Sequence, residues 1–395
     1  MIYVIASDLM TGNNIVKCLQ SKGKEYRVVT LFFPYYRAEN AISLWEINNS
    51  EIELIVMAIN DYNSKNGTIS LLKEYGIDCS KIFDFCKIYE LSIPKAHVDR
   101  IMYGKLSQKL DGVVLGISHA EVGINTDFMK LNFANFARSH QDIFFHISTL
   151  KHAVTNYPKE LNSIKYAIID LFDYYYFNYD TSLSVNAADY VRYSGALFDA
   201  HNYDRNTRKA LDYNDLVNAL NQEWYSNISE DEINTWENLF SDFHAAEHEK
   251  AFSNSLNTDI MTTCDPNNFN FGSTPYKLHE NTISENINHL STLIELLKCI
   301  NPDIKIACIL MPRYKGIECV EEGNDIFTHW KGMMYKIMTD FKNKYGIAFH
   351  DFKSADFLND KMEYYFDAAH FNNLGSAKFT HYLEGMIESG KLFEI

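Results

Sequence analysis

Apolar and polar positions fall into blocks with two different periods. Residues 2–6, IYVIA, are an uninterrupted apolar run; a polar, turn-rich SDLMTGNN comes next, and then IVKCLQSKG with helical spacing. The pattern predicts strand, loop and helix. YRVVTLFF at 26–33 and ELIVMAI at 53–59 predict two further strands. The latter leads through NDYNSKNG into the helical TISLLKEYG, and KIFDF at 81–85 closes the series. Apolar strands separated by amphipathic helices imply a parallel sheet covered on both faces. This is a small α/β domain over residues 1–95, with LSIPKAHVDRIMYGKL as the connection to a second domain.

A second series begins with GVVLGIS at 112–118 and continues in SIKYAIIDLF, DIKIACILMP and IAFHDF, the last at 347–352. Helices with apolar i, i+3, i+4 spacing lie between, as in ISTLKHAVTNYP, ENINHLSTLIELLKCI and FTHWKGMMYKIMTDFKNKYG. The interval 182–285 breaks the rhythm. It is rich in Asn, Asp and Glu, mostly helical in pattern, and reads as an insertion or lid within a second domain over 106–395. The fold class is α/β: a small N-terminal module, then a doubly wound parallel sheet.

Composition changes the picture in three respects. Hydrophobic residues make up 46% of the chain, with only 17 Gly and 7 Pro among 395 residues, which fits packed globular domains and excludes a disordered or Pro-rich chain. The 52 acidic against 36 basic residues leave a net charge of −16, which disfavours nucleic acid and anionic membranes as general partners. Seven cysteines, Cys18, Cys79, Cys86, Cys264, Cys299, Cys308 and Cys319, are scattered without a CxxC. They read as reduced thiols of a cytoplasmic protein. The opening residues lack the basic n-region of a signal peptide. No apolar stretch reaches the ~18 residues expected of a membrane span. Homo-oligomerisation is left open.

The chemistry is concentrated at two strand ends. Val113–Leu115 runs into Gly116, Ile117 and Ser118. Ligands of open α/β sheets bind at the carboxyl ends of strands, so a serine there is placed for attack, with helix N–H groups behind it. Serine is also a common N-cap, the bland alternative. Near the C-terminus, YYFDAAHFNNLGSAKF sets Asp367 three residues before His370. A carboxylate beside an imidazole is the arrangement that activates a serine hydroxyl; Asn372 and Gly375 also suit a helix entry.

Taken together, GISHA at 116–120 and DAAHFNNLG at 367–375 resemble the two end blocks of the SGNH (GDSL-like) hydrolase superfamily, in a divergent bacterial branch associated with surface polysaccharides. LNFANFARSHQDIFFH and KYAIIDLFDYYYFNYD resemble the intervening blocks, so the likeness spans about 106–180 and 285–395. It implies Ser118 as nucleophile, His370 as general base and Asp367 as its orienting carboxylate. It implies an esterase or an O-acetyltransferase acting on a polysaccharide or its precursor, with acetyl-CoA as the donor, a carbohydrate acceptor and no tightly bound cofactor. The chain departs from the family pattern: Ile117 replaces an acidic residue, and the Gly-x-Asn-Asp block is missing. Oxyanion donation therefore falls to Ser118, Ser139 or Asn135. The N-terminal module resembles small Rossmann-like modules of glycan-biosynthesis proteins, without a GxGxxG. A protein that binds a glycan without turning it over is the alternative from a different class.

Other residues attract a role less strongly. Arg313 and Lys315, in LMPRYKG after a strand, and Asp173, in the aromatic DYYYFNYD, are candidate substrate contacts. Exposed loop charge and ordinary core packing compete with that reading. His119 adjoins the nucleophile, and helical geometry is expected to point it away. His350 and Asp351 are expected to support the site. HAAEH at 244–248 fits H-x-x-E-H, with His244 and His248 on one helix face, Glu247 as base and Glu321 or Glu322 as a further ligand, making a zinc hydrolase the third reading.

Overall fold

The computed structural model describes residues 1–6, 9–30, 41–59, 62–92, 97–103, 105–181, 229–241, 243, 259–265, 274–353 and 355–395. Among these residues the fold is α/β, with two five-stranded parallel sheets. The chain divides into two compact units, Met1–Lys95 with Asn221–Ala251, and Ala96–Leu220 with Phe252–Ile395.

In the first unit, β1 (Ile2–Ala6), β2 (Tyr26–Thr30), β3 (Ile42–Ser43), β4 (Leu54–Ala58) and β5 (Ile82–Asp84) lie in the order β3-β2-β1-β4-β5. Alternate side chains of a strand point to opposite faces. Ile2 and Val4 accordingly join one apolar layer, and Tyr3 and Ile5 the other. The first layer includes a surprise. The helix Glu230–Phe240, expected within an insertion of the second domain, packs here instead. Trp236 lies against Phe85 (5.3 Å between ring centroids), and Phe240 stacks on Phe83 at 5.6 Å. Ser229 and Glu232 form a capping box that starts the helix. Lys87 meets the Glu232 carboxylate at 3.1 Å.

In the second unit, β6 (Gly112–Leu115), β7 (Phe133–Asn135), β8 (Tyr166–Asp170), β9 (Lys305–Leu310) and β10 (Ala348–Asp351) form the order β10-β9-β8-β6-β7. Val113 and Leu115 feed one apolar layer, and Val114 the other. Strand β7 falls inside LNFANFARSH, where three residues are too few to show a period. From β6 the chain crosses outward to β7 and then returns past β6 to β8. Such a reversal opens a crevice at the carboxyl ends of the two central strands. Ser118 follows β6, and Asp170 ends β8. Among the described residues, no helix is long and apolar enough to cross a membrane.

Candidate active site

The nucleophile candidate sits on a turn that permits little variation. Gly116 leaves β6 so close to β8 that a Cβ would lie 2.8 Å from Asp170 Cβ. Ile117, in extended conformation, caps the short helix Ser118–Gly123. Asn135 ties the other end of that helix to β7, donating from Nδ2 to the carbonyls of Ala120 (2.9 Å) and Ile124 (2.8 Å).

The candidate base and its carboxylate, His370 and Asp367, come from a tight loop. Tyr365 and Phe371 form an isolated antiparallel bridge, and Phe366 N–H donates to the His370 carbonyl at 3.1 Å. At the tip, Asp367 Oδ1 accepts the N–H groups of Ala369 and His370, both at 2.8 Å. Asn372, almost fully buried, caps the helix Asn373–Glu388 by accepting from Leu374 and Gly375. Its Nδ2 donates back to the Glu363 carbonyl at 2.8 Å. Gly375 lets the loop close: a Cβ there would overlap the Tyr364 carbonyl oxygen.

These elements bring three side chains into line. His370 Nε2 is 2.9 Å from Ser118 Oγ, and Nδ1 is 3.0 Å from both Asp367 carboxylate oxygens. Burial tends to raise the Asp367 pKa. The hydrogen bond and charge of His370, with the two backbone N–H groups, outweigh it and hold the carboxyl below its usual value. An ionised carboxylate only accepts, so Nδ1 carries the imidazole proton and Nε2 is free to accept from the serine hydroxyl.

The other candidates are placed differently. Asn135 has spent its amide on the helix carbonyls, and its Oδ1 accepts from Ala137 N–H at 3.0 Å. Ser139 directs both N–H and Oγ to Glu121 Oε2, each at 2.6 Å. Neither is poised as an oxyanion donor. The Ser118 N–H, at the first turn of a helix, has no acceptor within that helix.

Asp173 and Arg313 also depart from expectation, because both are buried in an ion cluster. Arg313 contacts Asp173 (2.6 Å), Glu318 (2.8 Å) and Glu321 (2.6 Å). Lys353 pairs with Asp173 and lies 3.0 Å from Glu321. Their charges are used internally and do not face a substrate. Burial pushes the Glu321 carboxyl up to about 7, against the pull of Arg313. Lys315 is exposed at the start of its helix, one residue after Tyr314, whose N–H donates to the Ala368 carbonyl.

The aromatic run Tyr174–Phe177 is buried core. His350 is engaged elsewhere: its Nε2–H donates to the Leu392 carbonyl at 2.8 Å. Asp351 accepts the hydroxyls of Tyr174 and Tyr335. His244–His248 lies outside the described residues; among those described, no group of three or more His, Cys, Asp or Glu is arranged to hold a metal.

One residue at the site departs from expectation and another lay beyond sequence reasoning. His119, expected to point away, turns its ring onto His370 instead, with centroids 4.7 Å apart. Asp170 is fully buried beneath the nucleophile turn, where burial pushes its carboxyl up to about 7 against the N–H groups of Phe172, Ile117 and Ala120. Its position at a strand's carboxyl end was the available signal.

Comparison with known proteins adds little. No family model matches the chain, and no curated protein does. One solved structure, from Bacteroides fragilis and described as a "putative acylhydrolase", is 11% identical, with a TM-score of 0.32, covering 77% of this chain and 95% of that one.

Proposed function

We propose that the protein is a serine-dependent acyl-transfer enzyme acting on carbohydrate. The observation that carries the reading is the continuous hydrogen-bonded line from Ser118 Oγ through His370 to Asp367. Ser118 Oγ attacks the carbonyl of an ester or thioester while His370 Nε2 removes its proton. Asp367 stabilises the resulting imidazolium. The tetrahedral oxyanion is met by the Ser118 N–H at the start of its helix. Collapse expels the alcohol or thiol, which takes the proton back from His370, and leaves an acyl group on Ser118. His370 then deprotonates the second nucleophile. Water completes an esterase cycle; a sugar hydroxyl completes an O-acetyltransferase cycle.

The transferase is favoured, with acetyl-CoA as donor and a bacterial surface polysaccharide or its precursor as acceptor in the cytoplasm. This preference follows the resemblance of both domains to glycan-biosynthesis proteins. A second reading, glycan binding without turnover, draws on the engagement of Asn135 and Ser139 elsewhere, since a missing oxyanion donor costs roughly 10²–10³-fold in rate.

The test is labelling with a fluorophosphonate followed by peptide mass spectrometry. Modification is expected at Ser118, and Ser118→Ala is expected to lose both labelling and p-nitrophenyl acetate hydrolysis. A native protein whose Ser118 stays unlabelled sinks the catalytic reading and favours the binding one. Transfer from radiolabelled acetyl-CoA to capsular saccharide fragments separates transferase from esterase.

A further inference from the structure

His119 is 4% exposed, and neither ring nitrogen has a hydrogen-bond partner among the described residues. Among the described residues no hydrogen bond anchors the ring; what it offers its neighbours is its faces. It lies nearly parallel to the His370 imidazole, at 19° and 4.7 Å. The Phe172 ring supports it from another side, at 4.9 Å and 46°. Phe172 has φ +58°, a left-handed conformation that a bulky residue seldom adopts and that persists only where the surrounding structure holds it. Its N–H donates to Asp170 Oδ1 at 2.8 Å, which holds the backbone there. His370 has a second parallel neighbour, Phe366, at 5.6 Å and 12°. A strained residue thus supports a buried ring, and that ring supports the base.

We propose that His119 is the positioning residue of the relay. Its ring face fixes the plane of the His370 imidazole, so that Nε2 stays aimed at Ser118 Oγ while the base gains and loses its proton. Burial first, and then the charges of His370, Arg313 and Lys353, hold the His119 pKa well below its usual value. The ring therefore stays neutral and does not repel the imidazolium; a π face beside that cation is favourable. The proposal rests on Ser118 being the nucleophile.

The experiment compares full-length wild type with His119→Leu, apolar and of similar bulk, and His119→Phe, which keeps a flat ring. Two readouts are taken: kcat and KM for p-nitrophenyl acetate, and the low-field proton resonance of the Asp367–His370 hydrogen bond, which needs no substrate. In His119→Leu, kcat is expected to fall by roughly 10–100-fold with KM unchanged, the scale of a misaligned catalytic group, and the resonance to broaden. In His119→Phe both are expected to stay near wild type. Unchanged kcat and resonance in His119→Leu overturn the proposal, as does a His119→Phe variant as impaired as Leu. Thermal unfolding checks that both variants are folded. If wild type neither hydrolyses the ester nor labels with fluorophosphonate, the nucleophile reading falls, and the resonance alone still decides whether the stacked ring holds the base.

Discussion

Asp170, beside the Gly116 turn, and Asp367, bonded to His370, are two carboxylates with pKa shifts in opposite directions. Asp367 is held low, so whatever it contributes to stability is present above the usual carboxylate pKa and is lost only as the pH falls through its lowered value. Asp170 is the reverse. Burial pushes it up to about 7, so the folded state binds a proton more tightly than the unfolded one. Its cost begins as the pH rises past the unfolded value and is complete above pH 7, at a few kcal/mol (about 1.4 kcal/mol per unit). Asp170→Asn keeps an acceptor for the Phe172 N–H and removes the ionisation. The expected result is a variant whose melting temperature exceeds wild type by more at pH 8 than at pH 5, measured by calorimetry. A constant difference across that range contradicts a buried ionising carboxyl. At this scale, the meeting of Ser118, His370 and Asp367 was legible in the sequence because the strand-end serine and Asp-x-x-His together resemble the end blocks of a known family. His119 and Phe172 were not, because a stacked ring and a left-handed φ leave no pattern among neighbouring residues.

Short-range pattern served well for elements with strong periods and failed for small ones. IYVIA, ELIVMAI and DIKIACILMP all lie on observed strands, β1, β4 and β9. Strands β3 and β7, of two and three residues, are made by pairing with β2 and β6 rather than by their own alternation. Arg313 looked like an exposed loop charge because spacing alone does not show that Glu318 and Glu321, on the helix that follows it, close on the guanidinium together with the distant Asp173. The loop at Asp367–His370 is held by its surroundings as much as by its own bonds. Gly375 is the sharpest instance: Gly375→Ala pushes a methyl group into the Tyr364 carbonyl and toward the Phe371 ring. The expected loss is about 1–3 kcal/mol of stability, typical of overpacking. It should appear as a lower denaturant midpoint, together with slower ester hydrolysis because His370 moves with the loop. Unaltered stability means that the loop yields more easily than the close approach implies.

The two units are each α/β with a parallel sheet, as the alternation of strands and helices implies. Their boundary could not be read from composition. The polar interval after residue 182 looks uniform, yet its helix Glu230–Phe240 completes the first unit's core with Phe240 and contributes Trp236. A fragment ending at residue 95 would leave Phe83 and Phe85 without those partners. Circular dichroism of the 1–95 fragment is therefore expected to show little cooperative unfolding, and co-expression with 221–251 to restore it. A fragment as stable alone as with the added segment contradicts that dependence.

The late arrival of that helix in the chain also sets a timetable. During synthesis, the first unit's sheet emerges early but waits for Phe240, while β6 to β8 of the second unit leave the ribosome in between. At typical elongation rates the delay is on the order of ten seconds. For that interval the first unit exposes an unfinished apolar face to chaperones and to neighbouring nascent chains.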